Sequence, residues 1–595
     1  MPQALIRSLR FMRAYAGVAV AAVAAVLAGA AADLAGPQLL RWVVDAGIAK
    51  GDLSVVWRGA GLLVGLAVAG AIAQFAQSFL SAKASHGAAF DMRNEIFSKL
   101  QELSFSYHDR AQTGNLITRV TSDVDLVRDF VGGGLVNAIS AALMLVGAVA
   151  LLLWMNWQLA LVAIAAIPAT LVVLFLFVGR LGPQSKLFQE RLSALNSVLQ
   201  ENIAGIRVVK AFAREHFETG RYRTASEALL QQGLEQRRTV ANAFPLMSLA
   251  GSLGIVAVTW VGAIQITRGT LTVGGLVAFT AYIALLLQPL FVIGFGAQAI
   301  ARAGAGAQRL FEVLDAVSEV AERPGAETLP PIRGRVEFQD VSFRYPGDDH
   351  DTLARVSFVV EPDTTVAIVG ATGSGKSTVV SLVPRFYDVR EGAVRIDGHD
   401  VRDTTLSSLR SQIGFVMQDS VLFSGTVREN IAYGRASATD AEVRAAAEAA
   451  QAAGFIAGLP EGYATRVGER GVKLSGGQRQ RIAIARALLV DPRILIMDDS
   501  TSSVDTETES SLRAALEGLM AGRTTFVVAS RLSTVRRADL ILLIEDGALV
   551  ASGTHDELLA ENCLYAEIAA SQLAGGETLT VPESCPMPDA GEVPS

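Results

Sequence analysis

The chain has 595 residues, of which 51% are hydrophobic and 18% charged, and its formal net charge is −7. A mean hydropathy of +0.38 is too apolar for an ordinary soluble protein, and the apolar residues crowd into the first half, which points to a membrane domain followed by a soluble one. The acidic balance carries no nucleic-acid footprint; the two cysteines, Cys563 and Cys585, lack metal-ligand spacing and predict no structural disulfide in a cytosolic half.

Arg7, Arg10 and Arg13 precede a long apolar segment, which reads as a retained first span with a cytoplasmic start and not as a cleaved signal. Six apolar stretches are expected to cross the bilayer, at about 15–45, 57–82, 130–153, 158–179, 244–267 and 273–297. The segment between the second and third carries Lys83, Arg93, Lys99, Arg110, Arg119 and Arg128. The segment between the fourth and fifth carries ten more cations, from Arg180 to Arg238. Loops on the other side are short and nearly free of positive charge, and Trp154-Met155-Asn156-Trp157 reads as a tight turn with interfacial aromatics. Positive loops stay inside, so both termini and both long loops are expected in the cytosol, with the protein in the cytoplasmic membrane.

From Asp91 to Leu103, and from Gln189 to Glu235, apolar residues recur at helical spacing among charges. The spans are therefore expected to run on as helices beyond the bilayer. They would reverse at short turns, Thr113-Gly114-Asn115-Leu116-Ile117 and Ala211-Phe212-Ala213-Arg214-Glu215, suited to docking on a motor domain. Polar residues fall within or near the spans: Asp33, Arg41 and Asp45 in the first, Gln74 and Gln77 in the second, Gln288 in the sixth. Arg41 and Asp45, one helical turn apart, are expected to pair near the outer interface. Asp33 lies deeper and is a pathway candidate. Pro37 and Pro289 can kink their helices.

The transmembrane domain is expected to end near residue 320, followed by a linker at 321–334 and a second domain at 335–573. A disordered tail is expected at 574–595, with Pro582, Pro586, Pro588 and Pro594. The second domain alternates β-rich runs (Val336–Phe343, Thr365–Val369, Ile413–Met417, Ile494–Met497, Thr525–Val528, Leu540–Ile544) with helical patterns, a mostly parallel α/β arrangement. Gly370-Ala371-Thr372-Gly373-Ser374-Gly375-Lys376-Ser377 follows one such strand and opens a helical pattern at Thr378. In that setting backbone amides surround phosphates, Lys376 reaches the β/γ-phosphates and Ser377 ligates Mg²⁺. Gly370, Thr372, Gly373, Ser374, Gly375, Lys376, Ser377 and Thr378 are thus nucleotide-binding candidates, with Tyr345 a candidate to stack on adenine. Asp498, at the end of a buried strand, is suited to organising Mg²⁺. Gln418 ends another strand and is a candidate to join the metal to the membrane-domain contact.

Leu474-Ser475-Gly476-Gly477-Gln478 resembles the signature motif of ATP-binding-cassette (ABC) transporters. Thr465–Gly471 resembles the family's loop that meets the coupling helices, and Ser503-Val504-Asp505 its D-loop. The resemblance covers nearly the whole chain. It implies an all-α six-span transmembrane domain with long cytoplasmic helical extensions fused to an α/β P-loop nucleotide-binding domain, the half-transporter layout of type IV ABC exporters. It further implies ATP and Mg²⁺ as cofactors and head-to-tail pairing of two nucleotide domains. Each ATP then lies between one chain's phosphate loop and the other's Ser475, Gly476, Gly477 and Gln478 equivalents, with Asp505 nearby. The family pattern expects a glutamate at Asp499, as general base, and a histidine at Ser530. Asp499 is one methylene short, and misplacement near ~1 Å costs on the order of 100-fold in rate. With Gln418 these two form the candidate catalytic set, both degenerate. The chain is accordingly expected to serve as one subunit of a heterodimeric exporter of amphipathic or lipophilic substrates, its partner a second, hydrolysis-competent half-transporter. The readings left open beside it are an exporter-folded importer of siderophores or lipids, a nucleotide-gated regulatory membrane protein, and a homodimeric exporter with weak ATPase.

Overall fold

The computed structural model describes residues 2–417, 421–468, 474–498, 518–529 and 532–570. Packing divides the chain into two units, one of residues 1–101 and 113–316, the other of residues 102–112 and the chain from 317 onward.

The first unit is helical. Its long helices are Ala16–Trp42, Leu53–Glu102, Leu135–Met155, Trp157–Ala204, Glu215–Thr267 and Val273–Leu314. Five described helical stretches are long and apolar enough to cross a membrane, and a shorter apolar stretch, Val273–Leu286, opens the sixth helix. The 50-residue helix Leu53–Glu102 is about 75 Å long at 1.5 Å per residue, well over twice the hydrocarbon thickness. The apolar periodicity among charges at its far end is what keeps it helical past the bilayer. Trp57, Phe75, Trp154, Phe175 and Trp260 are each at least 72% exposed, large apolar side chains that a bilayer would cover. Inside, Leu152, Leu159, Val258, Phe279 and Tyr282 are fully buried, and the Tyr282 hydroxyl donates to the Leu34 carbonyl at 2.6 Å.

The turn at Trp154–Trp157 forms on Asn156, whose extended backbone breaks the helix. Its side-chain oxygen accepts from the Leu159 amide, and its amide donates to Gln265 at 2.7 Å. Arg41 does approach Asp45, at 3.7 Å. Asp45 is held more closely by the Thr272 hydroxyl and the Gly274 amide, at 2.7 and 2.8 Å, so the carboxylate clasps the start of the last long helix. Asp123, almost fully buried, accepts two bonds from the Arg309 guanidinium.

The first reversal differs from its expected place. Gly114 and Asn115 have turn-like chemistry, yet Thr113–Thr118 is helical. The chain turns earlier, at the short helix Phe105–Arg110 between Ser104 and Ala111 in extended conformation. Aromatic packing of Phe105 on Phe386, with ring centroids 4.4 Å apart, fixes that helix within the second unit. The second reversal comprises the helix Ile206–Ala211 and a tight turn at Phe212–Arg214, as expected, with Ala213 at φ +51.

Among the described residues the second unit contains twelve strands: β1 Val336–Phe343, β2 Leu353–Val360, β3 Thr365–Val369, β4 Glu391–Ile396, β5 His399–Asp400 and β6 Ile413–Val416. There follow β7 Gly425–Thr426, β8 Arg466–Val467, β9 Ile494–Asp498, β10 Thr524–Val528, β11 Leu540–Glu545 and β12 Ala548–Gly553. A six-stranded sheet of order β12-β11-β3-β10-β9-β6 is parallel except for the β11–β12 hairpin, and an antiparallel sheet of order β2-β1-β4-β5 packs its apolar face into the same core. Strands β3, β9 and β10 are buried on both faces, which is why they read as unbroken apolar runs. The stretch 321–334 is laid along this unit: the Leu329 amide donates to Ser408 and the Ile332 amide to Gln412, both at 2.9 Å. Cys563 is disulfide-bonded, against the expectation drawn from compartment.

Candidate functional site

Strand β3 delivers the chain into the loop Gly370–Gly375 and then into the helix Lys376–Leu382. The loop's glycines are required by close approach. A Cβ on Gly370 would lie 2.1 Å from the Ile544 carbonyl oxygen. At Gly375, φ +102, it would lie 2.8 Å from Leu353 and 2.9 Å from the Thr352 carbonyl. The β2 and β11 ends therefore wedge the loop into its curl, and the Gly547 amide bonds the Ser374 carbonyl at 3.2 Å.

Lys376 folds back over the loop, its ammonium donating to the Gly370 and Ala371 carbonyls at 3.0 and 2.7 Å. Ser377 points at the end of β9, where its hydroxyl lies 3.4 Å from Asp498. The Ser374 hydroxyl is buried and has no hydrogen-bond partner among the described residues, a cost that a ligand oxygen would relieve. Together these groups fit an anion with several oxygens and a hard cation beside it. Ser377 and Asp498 supply oxygen ligands of the kind Mg²⁺ takes, with phosphate and water completing an octahedron. Among the described residues no trio of His, Cys, Asp or Glu forms a metal site of its own.

Tyr345 follows β1. Its hydroxyl is 3.0 Å from Thr378, and its ring stands edge-on to Phe343 and Tyr387, at 4.9 and 5.3 Å. Burial raises its phenol above the ordinary tyrosine range. Thr378 is itself buried in the helix below the loop. Thr372 and Gly373 lie in the exposed part of the loop, and nothing comes within 4 Å of a Cβ built on Gly373.

Ser475 caps the helix Gly476–Val490 in a reciprocal box: its hydroxyl accepts from the Gln478 amide, and the Gln478 side chain accepts from the Ser475 amide at 3.0 Å. Ser475 and Gly476 are exposed, and no described hydrogen bond joins them to Gly370–Ser377 of the same chain. Gln418, Asp499, Asp505 and Ser530 lie outside the described residues, as do Ser503 and Val504, the final part of Thr465–Gly471, and residues 574–595.

Sequence reasoning missed the braces around this site: the backbone of Thr352 and Ile544, and the aromatic cluster Phe343, Tyr345, Phe386 and Tyr387 reaching to Phe105. These contacts join distant parts of the chain and leave no local pattern.

Residues 18–290 match the family profile described as "ABC transporter transmembrane region", and residues 353–502 match the one described as "ABC transporter". An "Uncharacterized ABC transporter ATP-binding protein YfiB" of Bacillus subtilis is 38% identical over 566 residues, covering 95% of this chain and 98% of that protein. The chain is an ABC half-transporter. It carries a multi-pass helical membrane region followed by the family's ATPase domain, which binds ATP and couples its hydrolysis to transport. The half-transporter is also 40% identical over 475 residues to an "ATP-dependent lipid A-core flippase" of Syntrophus aciditrophicus, covering 80% of this chain and 79% of that one. Its fold matches a bacterial Atm1-family ABC exporter solved with ATP bound, with a TM-score of 0.79 and 32% identity, covering 93% of this chain and 97% of that one.

Proposed function

We propose that this half-transporter is one subunit of a heterodimeric exporter that moves amphipathic or lipophilic molecules (drugs, lipids or peptides) out across the cytoplasmic membrane. One observation carries the asymmetric reading: the phosphate-binding groups are complete, while Asp499 and Ser530 depart from the glutamate and histidine of a hydrolysing site. The fit of the loop supports nucleotide binding, through the buried Ser374 hydroxyl, without a partner among the described residues, and the sterically demanded Gly370 and Gly375. In this reading amides of Gly370–Ser377 hold the phosphates, Lys376 swings from its carbonyls to the γ-phosphate, and Ser377, Asp498 and Gln418 hold Mg²⁺. Tyr345 offers a ring to adenine, while Ser475–Gln478 and Asp505 complete the partner's competent site. ATP binding closes the two nucleotide domains, and the turns at Phe105–Arg110 and Ile206–Arg214 carry that closure to the spans. Both termini and the nucleotide domain face the cytosol, in keeping with the cationic inner loops.

The relatives support export, one by its title and one by its name as a flippase. A homodimer with weak ATPase is the second reading, favoured by the carboxylate that Asp499 retains. The deciding experiment is ATPase activity of the purified chain alone and then of the chain co-purified with a co-expressed half-transporter. Activity only in the pair, lost when the partner's glutamate is removed, supports the heterodimer. Brisk hydrolysis by the chain alone, abolished by Asp499→Asn, establishes the homodimer.

A further inference from the structure

The membrane unit forms a half-open cavity of about 720 Å³ bounded by the helices Ala16–Trp42, Leu53–Glu102, Leu135–Met155 and Val273–Leu314. That volume suits a drug-sized molecule. Small and aliphatic residues form most of the wall, Gly29 and Gly70 among them on two facing helices, and Met144 offers an adaptable thioether. Three amides also line it, Gln74, Gln77 and Asn137. Asp33 is the one charged residue among those described in the lining.

Two other carboxylates near these helices already have partners. Asp45 holds Thr272 and Gly274, and Asp123 holds Arg309. Asp33 makes no hydrogen bond or ion pair with any described residue, and it faces the cavity. A carboxylate at membrane depth is costly unless it meets water or a countercharge. The neighbouring amides can orient a ligand but cannot neutralise it. An anionic head in the same cavity would meet Asp33 with like charge and no cation among the described lining residues to offset it.

We propose that this cavity takes an amphipathic monocation, its head against Asp33 and its apolar body along Gly29, Gly70 and Met144. The proposal rests on the reading that the chain moves amphipathic molecules, and it sets the cargo apart from an anionic lipid. Asp33 acts as the specificity-determining residue, selecting charge sign, while the wall accepts varied apolar bodies.

The test uses the full-length dimer in nanodiscs of zwitterionic lipid, without nucleotide. Binding is measured by equilibrium dialysis for tetraphenylphosphonium, for neutral triphenylphosphine oxide and for dodecyl phosphate. The wild type is expected to bind tetraphenylphosphonium about tenfold or more tightly than either of the others. Asp33→Asn is expected to lose about tenfold or more of the cation affinity while binding the neutral compound as before, and Asp33→Glu to stay within about threefold of wild type. Equal cation binding by Asp33→Asn and wild type overturns the proposal. So does a wild type that prefers dodecyl phosphate or does not distinguish the cation from the neutral compound, a comparison that stands even if Asp33→Asn fails to fold. Because no nucleotide is present, a chain that binds the cation but never transports it defeats the export reading and leaves this one intact.

Discussion

The phenol of Tyr387 donates a 2.5 Å hydrogen bond to the carboxylate of Asp109, a residue 278 positions earlier in the chain. Burial, together with that carboxylate, holds the Tyr387 phenol far above its usual range, so it remains a donor at any working pH. Tyr387 also meets Tyr345 edge-on, and the Tyr345 hydroxyl lies 3.0 Å from Thr378, next to the phosphate-loop residue Ser377. A line of contacts therefore runs from the nucleotide loop to the helix Phe105–Arg110. Tyr387→Phe and Asp109→Asn are each expected to lower substrate moved per ATP hydrolysed by up to about tenfold, with ATP affinity nearly unchanged. Transport and hydrolysis measured in the same proteoliposomes give the ratio. An unaltered ratio in both variants would show that the bond only holds the helix in place.

The proposed degenerate site makes a gain-of-function prediction. In the assembled dimer, Asp499→Glu combined with Ser530→His should raise hydrolysis at this chain's phosphate loop, by up to about 100-fold if the carboxylate position is the whole defect. Single-turnover assays with the partner's own site disabled isolate that signal. No increase would argue against the asymmetric account or place a second defect in the partner's signature motif.

Two glycines of the loop should behave differently. Alanine at Gly370 collides with the Ile544 carbonyl, so Gly370→Ala is expected to abolish ATP binding. Gly373, at φ +87, has open space for a Cβ. Gly373→Ala should therefore meet only backbone strain of about 1–2 kcal/mol, weakening ATP by about 5- to 30-fold. Titration with a fluorescent ATP analogue separates the two; equal losses would contradict the steric account.

His555 predicts an acid-sensitive melt. Its ring nitrogen Nδ1 lies 2.7 Å from the Tyr565 hydroxyl, and burial, aided by the nearby Arg536 charge, holds the imidazole below its ordinary pKa. The unfolded chain therefore takes up this proton first as pH falls. The contribution of His555 is fully present above about pH 6.5 and is lost as pH drops toward the depressed folded value. Between about pH 7.5 and about pH 5.5 the ATPase unit's Tm should fall further in wild type than in His555→Gln. Calorimetry at several pH values checks this, and parallel curves would remove His555 from the account.

Where burial is local and repetitive, the sequence was legible. Thr365–Val369 and Ile494–Met497 are apolar runs because both faces are covered, and they end at the loop and carboxylate that the phosphate chemistry needs. β2 escaped notice because its exposed positions interleave Arg355, Ser357 and Val359 with the buried ones, and Arg355 sits at φ +50 beside a break in register. Thr113–Ile117 looked like a turn on the strength of Gly114 and Asn115. The true turn depends on Phe105 finding Phe386, a contact that nothing near Phe105 announces. Tyr345 was recognisable as an aromatic near the nucleotide, but its commitment to Thr378 and Tyr387 was not.

The assignment of residues 102–112 to the second unit makes the ATPase module discontinuous in the gene. Excising it at residue 317 would strip the Phe386 ring of Phe105 and the Tyr387 phenol of its acceptor, leaving an apolar socket open to water. Domain swaps between related half-transporters should therefore transplant that eleven-residue cassette along with the C-terminal half, because the two pieces form a single graft.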